Sequence, residues 1–262
     1  MPKRRRNVVG NVGLAVLVLA TGAAVTAAIV HAEPAQQEST DLLETARQNS
    51  AKVQQEIEAG RKAFEDSQKV ALKRPTDGPL QALMVGDSLT AGYYSSVQEK
   101  GFSQTVITEL EKGGPVKRLG GSQAGGNLST VGGLVDVPKG FNLAVIELGT
   151  NDIQGKTDRN IFPGQYEGLL NKVREASPDA ALVCMGTWGS AGADTDAYDA
   201  AIEKSCISHG GKYIDLSAEF SNPGTRGPAG LPSWAGTSDT FHPNDTGHAR
   251  LANLVMQHLK VS

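Results

Sequence analysis

Ser88, Asp239 and His242 are of the types, and stand at the spacing, that nucleophilic catalysis requires. Ser88 lies in Gly86-Asp87-Ser88-Leu89-Thr90, and far downstream comes Asp239-Thr240-Phe241-His242-Pro243. A serine hydroxyl is a poor nucleophile at neutral pH. It needs a base within hydrogen-bond reach, and the base needs a third group to hold it. With Asp239 and His242 on one short loop, the carboxylate can take one imidazole nitrogen while the other faces the serine. Taken singly, each segment has a plainer reading: a serine in a Gly-rich turn caps or turns the chain, and an Asp-His pair ahead of Pro243-Asn244-Asp245 caps the last helix.

The elements that must position these residues can be read from the same chain. Gln81–Val85 is a short apolar run bounded by Pro79 and Gly86, the pattern of a buried strand, and it delivers Ser88 to the carboxyl edge of a sheet, where open α/β folds place their ligands. A second apolar strand, Phe141–Leu148, runs into Gly149-Thr150-Asn151-Asp152. There the Asn151 amide can face a developing oxyanion. A Gly-rich stretch from Gly120 to Asn127 follows a strand near Val116–Leu119, and glycine there lets a main-chain N–H approach the same point. Asp87 and Asp152 read as carboxylates that organise these loops. Strands at 81–85, 116–119, 141–148, 180–186 and 212–216 alternate with helices at 102–112, 163–176, 195–209 and 246–259. That alternation predicts an α/β domain with a parallel sheet.

The four blocks together, Gly86-Asp87-Ser88-Leu89, Gly125, Gly149-Thr150-Asn151-Asp152 and Asp239-x-x-His242, resemble the SGNH or GDSL-type esterase and lipase family from Pro79 to the last residue. In the second block, the small residue before Gly125 favours it over Gly126. The resemblance implies a three-layer α/β/α sandwich with a short parallel sheet and a cofactor-free hydrolysis of carboxylic esters. Ser88 would be the nucleophile, His242 the base and Asp239 its orienting group. The N–H groups of Ser88 and Gly125 and the Asn151 amide would form the oxyanion hole. Substrates would be small-molecule esters, lipids or acylated glycans. Two other readings stand beside it: an O-acyltransferase modifying an envelope glycan or glycolipid, and a non-catalytic envelope scaffold or carbohydrate-binding module.

Other chemistries fit less well. Gly149–Thr157 resembles a phosphate-binding loop, but five residues separate its glycines where that motif has four. Thr90 stands where the Gly-x-Ser-x-Gly elbow needs its last glycine. Two cysteines are too few for a structural zinc site, and His209, His248 and His258 lack ligand spacing. His248 reads as a surface or helix-capping residue. A net charge of −3 gives no sign of nucleic-acid binding.

Lys3-Arg4-Arg5-Arg6 precedes an uncharged stretch, Asn7–Val30, long enough for a transmembrane helix with the rest of the chain outside the membrane. A signal peptide cut near Ala32 is the competing reading. The expected organisation is 1–31 for the basic tip and membrane helix, 32–78 for a helical stalk and linker, and 79–262 for the hydrolase domain. In the stalk, Leu43, Ala46, Ser50, Val53, Ile57, Gly60, Phe64 and Ser67 recur at heptad spacing, weakened by glycine and serine on the seam. Lys73–Pro79 reads as the linker that ends it. Cys184 and Cys206, on a strand and the helix after it, are either a disulfide or two buried hydrophobes. Phe220, Arg226 and Trp234 in Ser217–Thr240, and Trp188-Gly189-Ser190, are candidates for the walls of the cleft, although either tryptophan could equally pack the core.

Overall fold

The computed structural model describes residues 33–133 and 135–262. Asn7–Val30 lies outside the described residues. Among the described residues no helix is long and apolar enough to cross a membrane. The chain divides into two compact units between Lys62 and Ala63. The described part of the first lies within helix α1, Glu33–Ser67, and Leu43, Val53, Ile57 and Phe64 of the heptad pattern are exposed along that helix.

The second unit is built on five parallel strands: β2 (Leu80–Gly86), β3 (Val116–Ser122), β4 (Leu143–Glu147), β5 (Ala181–Met185) and β6 (Lys212–Ile214), in the order β3-β2-β4-β5-β6. Side chains alternate across a strand, so each strand feeds two cores. Ala82, Met84, Val145, Val183 and Met185 face a layer made by α2 (Phe102–Glu111) and α7 (Asp245–Gln257), through Phe102, Val106, Leu251 and Val255. Leu83, Val85, Ile146, Leu182 and Cys184 face α4 (Phe162–Ala176) and α5 (Asp196–Ser208), through Tyr166, Leu170, Ile202 and Cys206. This is an α/β fold of three layers. Each fully buried Leu or Val contributes about 1.5–3 kcal/mol of transfer free energy. The central strands are continuous apolar runs because both of their faces are covered.

Several elements lie outside the expected pattern. β1 (Val70–Leu72), inside the segment read as stalk and linker, pairs in parallel with β9 (Leu259–Val261). A short helix, α3 (Thr150–Gln154), begins on the Gly-Thr-Asn-Asp block itself. α6 (Ser217–Ser221) and the hairpin of β7 (Pro232–Ser233) and β8 (Gly236–Thr237) occupy the loop before Asp239. Cys184 on β5 and Cys206 on α5 form a buried disulfide with their Cα atoms 6.1 Å apart.

Candidate active site

Parallel strands end on one edge of the sheet, and β2, β3 and β4 end there on Gly86, Ser122 and Glu147. Gly86 has a strict reason to be glycine. A Cβ built on it would lie 1.9 Å from the Thr90 hydroxyl and 2.7 Å from the Glu147 carboxylate. The chain then turns at once: Leu89 N–H donates to Asp87 Oδ1 (3.0 Å), and Ala91 and Tyr93 N–H donate to the carbonyls of Asp87 and Ser88. This tight turn holds Ser88 at the edge with only 6% of its surface exposed.

The three residues expected to cooperate meet here. Ser88 Oγ–H donates to His242 Nε2 at 3.0 Å, and His242 Nδ1–H donates to Asp239 Oδ2 at 2.8 Å. Asp239 Oδ1 accepts the main-chain N–H of Phe241 (2.9 Å) and His242 (2.8 Å), which fixes the loop around the carboxylate. Partial burial pushes the Asp239 carboxyl up, but the donors from His242 and Phe241 outweigh it and hold the group below the usual aspartate range. The pair does not cap α7. Asn244 does, its side chain accepting from Gly247 N–H at 3.0 Å.

On the other side of Ser88, Asn151 opens α3. Its Nδ2 donates to Asp87 Oδ2 at 2.8 Å and to Gly126 O at 3.0 Å, so both amide hydrogens are engaged. The Gln123–Gly126 turn separates the two candidate glycines. Gly126 N–H donates to Gln123 O (2.9 Å), whereas Gly125 N–H and Ser88 N–H have no partner among the described residues. Gly125 sits at φ +69°, a conformation that glycine adopts without cost. Asp152 organises the loops as expected, accepting from Leu128 N–H (2.9 Å) and the Thr157 hydroxyl (2.8 Å).

A cleft of about 420 Å³ opens on Ser88, Gly125, Asn151 and His242, with Tyr93, Tyr94 and Phe241 on its walls. The sequence reading missed the tyrosines. Their signal is position, directly after the Ser88 turn and Gly92. Tyr94 has φ +57°, rare for a bulky residue, and its ring stands edge-on to the His242 imidazole with centroids 4.8 Å apart. The residues expected to wall the cleft lie elsewhere. Trp188 is buried in the core, its N–H donating to Phe241 O at 2.7 Å, because the chain after β5 turns inward on Thr150. Phe220 packs edge-on against Trp188, Arg226 stacks over Phe220 at 4.0 Å, and Trp234 is half-buried beside Tyr93.

His248 is neither exposed nor a cap. It is fully buried, accepts Phe102 N–H on Nδ1 (3.2 Å) and donates from Nε2 to Tyr93 O (2.9 Å). Burial pushes its pKa down to about 4, so the ring is neutral. It fastens α7 to the segment that carries Tyr93 and Tyr94.

Glu147, the last residue of β4, is the other group the sequence hid, a lone acid in an apolar strand. It is fully buried below the Ser88 turn, and Oε2 accepts from Asp87 N–H (3.2 Å) and the Thr90 hydroxyl (2.9 Å). Burial, and then the nearby Asp87 carboxylate, raise Glu147 well above the usual glutamate range.

The sequence profile described as the GDSL-like lipase/acylhydrolase family matches residues 84–250. Curated protein sequences give no match. Among solved structures, the extracellular lipase from Streptomyces rimosus is similar at a TM-score of 0.54 and 15% identity, over 68% of this chain and 99% of that one. The psychrotrophic esterase EstA from a Pseudoalteromonas species is similar at 0.51 and 14%, over 68% and 96%. At these identities the likeness is one of fold.

Proposed function

Since the chain belongs to the GDSL-like lipase/acylhydrolase family and is a carboxylic ester hydrolase, we propose that Ser88, His242 and Asp239 carry out the hydrolysis as a triad, outside the cytoplasm. The observation that carries this is the unbroken relay of Ser88 Oγ, His242 Nε2, His242 Nδ1 and Asp239, at 3.0 and 2.8 Å. His242 takes the serine proton as Oγ attacks the ester carbonyl carbon. The imidazolium, stabilised by Asp239, gives that proton to the departing alcohol. Water, deprotonated by the same ring, then attacks the acyl-enzyme and releases the acid, restoring Ser88.

In this reading the negative oxygen of the tetrahedral intermediate is met by the free N–H groups of Ser88 and Gly125 and by Asn151 Nδ2. Because Gly126 O already occupies one Asn151 hydrogen, the oxyanion must displace or share it. Such donors act most strongly where charge develops in a site shielded from water. Action outside the cytoplasm is supported by the Cys184–Cys206 bond, since disulfides persist in oxidising compartments. The substrate is a small-molecule ester, a lipid or an acylated glycan.

The test is a panel of esters from acetyl to long-chain, with Ser88→Ala as control and a fluorophosphonate probe for the nucleophile. Turnover is expected in the wild type with stoichiometric labelling at Ser88, and neither in Ser88→Ala. Wild-type turnover in Ser88→Ala would sink the triad. Turnover only in the presence of a sugar acceptor would turn the reading to acyl transfer.

A further inference from the structure

We propose that Glu147 is a positioning residue for ester hydrolysis: held as an uncharged carboxylic acid beneath the Ser88 turn, it hydrogen-bonds the Asp87 carboxylate, which in turn holds the Asn151 amide at the oxyanion site. The proposal rests on Ser88 being the nucleophile.

Glu147 Oε2 receives two donors, but no group donates to Oε1, and the whole carboxyl is shut away from water. An ionised carboxylate there would leave one charged oxygen without a donor, a costly arrangement. A neutral carboxyl needs instead an acceptor for its own O–H. Asp87 is the neighbour that can take it, since its own N–H donates to Glu147 Oε2 at 3.2 Å and brings the two carboxyls side by side.

Asp87 has the opposite pattern. Its Oδ2 accepts from Asn151 Nδ2 (2.8 Å), and its Oδ1 accepts from Leu89 N–H (3.0 Å). Burial pushes its carboxyl up to about 6, but the donors around it leave Asp87 the member of the pair that is ionised at neutral pH. One proton therefore serves the pair and resides on Glu147. Tyr166 from α4 faces Glu147 and His242 from the Asp239 loop faces Asp87, so the attraction of the imidazole favours ionising Asp87 rather than Glu147.

The geometry links the nucleophile turn to the oxyanion donor through Asp87. Glu147 touches Asp87 N–H and the Thr90 hydroxyl in the turn after β2, and Asp87 touches Asn151 on α3. Glu147 touches no substrate. Its loss should lower kcat with KM unchanged, because Asp87 and Asn151 lose their alignment.

Glu147→Gln and Glu147→Leu, alongside Ser88→Ala, decide the matter. Glutamine can accept through its carbonyl and donate through its amide, so its kcat at pH 7 is expected within about threefold of wild type. At alkaline pH, where Glu147 in the wild type ionises and repels Asp87, kcat of the wild type falls and that of the glutamine variant does not. Glu147→Leu is expected to lose about 10- to 100-fold in kcat, the scale of leaving a buried partner unsatisfied, with KM within twofold. Wild-type kcat in a folded leucine variant overturns the proposal. So does a glutamine variant that loses as much as leucine, or one that keeps the alkaline fall. Should the leucine variant not fold, the glutamine pH profile decides alone. Loss in Ser88→Ala with no effect at Glu147 overturns only the positioning role, while activity surviving in Ser88→Ala overturns both claims.

Discussion

Tyr94 presents its ring edge-on to the imidazole of His242, at 86° and 4.8 Å between centroids, from a backbone at φ +57°. A non-glycine residue held in that region costs on the order of 1–2 kcal/mol. The strain is sustained beside the imidazole proposed as the base. Two substitutions separate strain from support. Tyr94→Ala and Tyr94→Gly should each lower kcat by about 2- to 10-fold, the worth of one aromatic pair. In thermal unfolding, however, Tyr94→Gly should be the more stable of the two, reversing the usual order. Equal kcat to wild type in both variants would mean that the ring does not steady His242.

The triad and the oxyanion donors predict losses of different size. Asp239→Asn should cost about 10⁴-fold in kcat by leaving His242 in the wrong tautomer. Asn151→Ala should cost about 10²- to 10³-fold, with fluorophosphonate labelling of Ser88 slowed rather than abolished. Steady-state kinetics on a soluble chromogenic ester measure both. An Asn151→Ala enzyme with wild-type kcat would remove Asn151 from the oxyanion hole.

His248 gives the fold a defined pH dependence. Its folded pKa is depressed to about 4, against 6.5 for the free residue. The unfolded chain therefore binds more protons between those values. The stability is present in full above the unfolded pKa and is lost as pH falls through the folded one, on the order of 3 kcal/mol in total. Melting temperatures at pH 7.5 and 4.5 read it directly. His248→Gln should start lower at pH 7.5 and fall less on acidification. An unchanged slope would assign the acid sensitivity to other groups.

The Cys184–Cys206 bond closes a loop with a sequence separation of 22 between a core strand and its flanking helix. In the chain-entropy model that is worth about 3 kcal/mol. Replacing both cysteines by serine should lower Tm by roughly 6–12 °C for a unit of this size. Activity at 25 °C should persist, since neither sulfur borders the cleft. Reductant should lower the Tm of the wild type and leave the double variant unmoved.

The sequence made legible what local pattern encodes. Apolar runs bounded by Pro79, Gly86 and Gly149 marked β2 and β4, and Ser88, Asp239 and His242, which the fold brings together, stood out because the chemistry proposed for them constrains residue type as well as position. What escaped depends on tertiary surroundings. Glu147 looks like any polar residue in a strand until both faces of that strand are covered. His248 falls on a helix whose buried side only the packing of α2 reveals. Trp188 and Phe220 look like cleft aromatics, but the turn after β5 carries them into the core. β1 and β9 are three residues each, too short to carry a period, and exist because each completes the other.

That pairing has a mechanical consequence. β1 and β9 run parallel, clasped by Val70 N–H to His258 O, Ser262 N–H to Leu72 O and Arg74 N–H to Ser262 O. Pulling the start of β1 and the end of β9 in opposite directions loads all these bonds at once, in shear rather than one after another. Stretched between its two ends, the catalytic unit should hold as a clasp does, yielding in one abrupt step instead of peeling open.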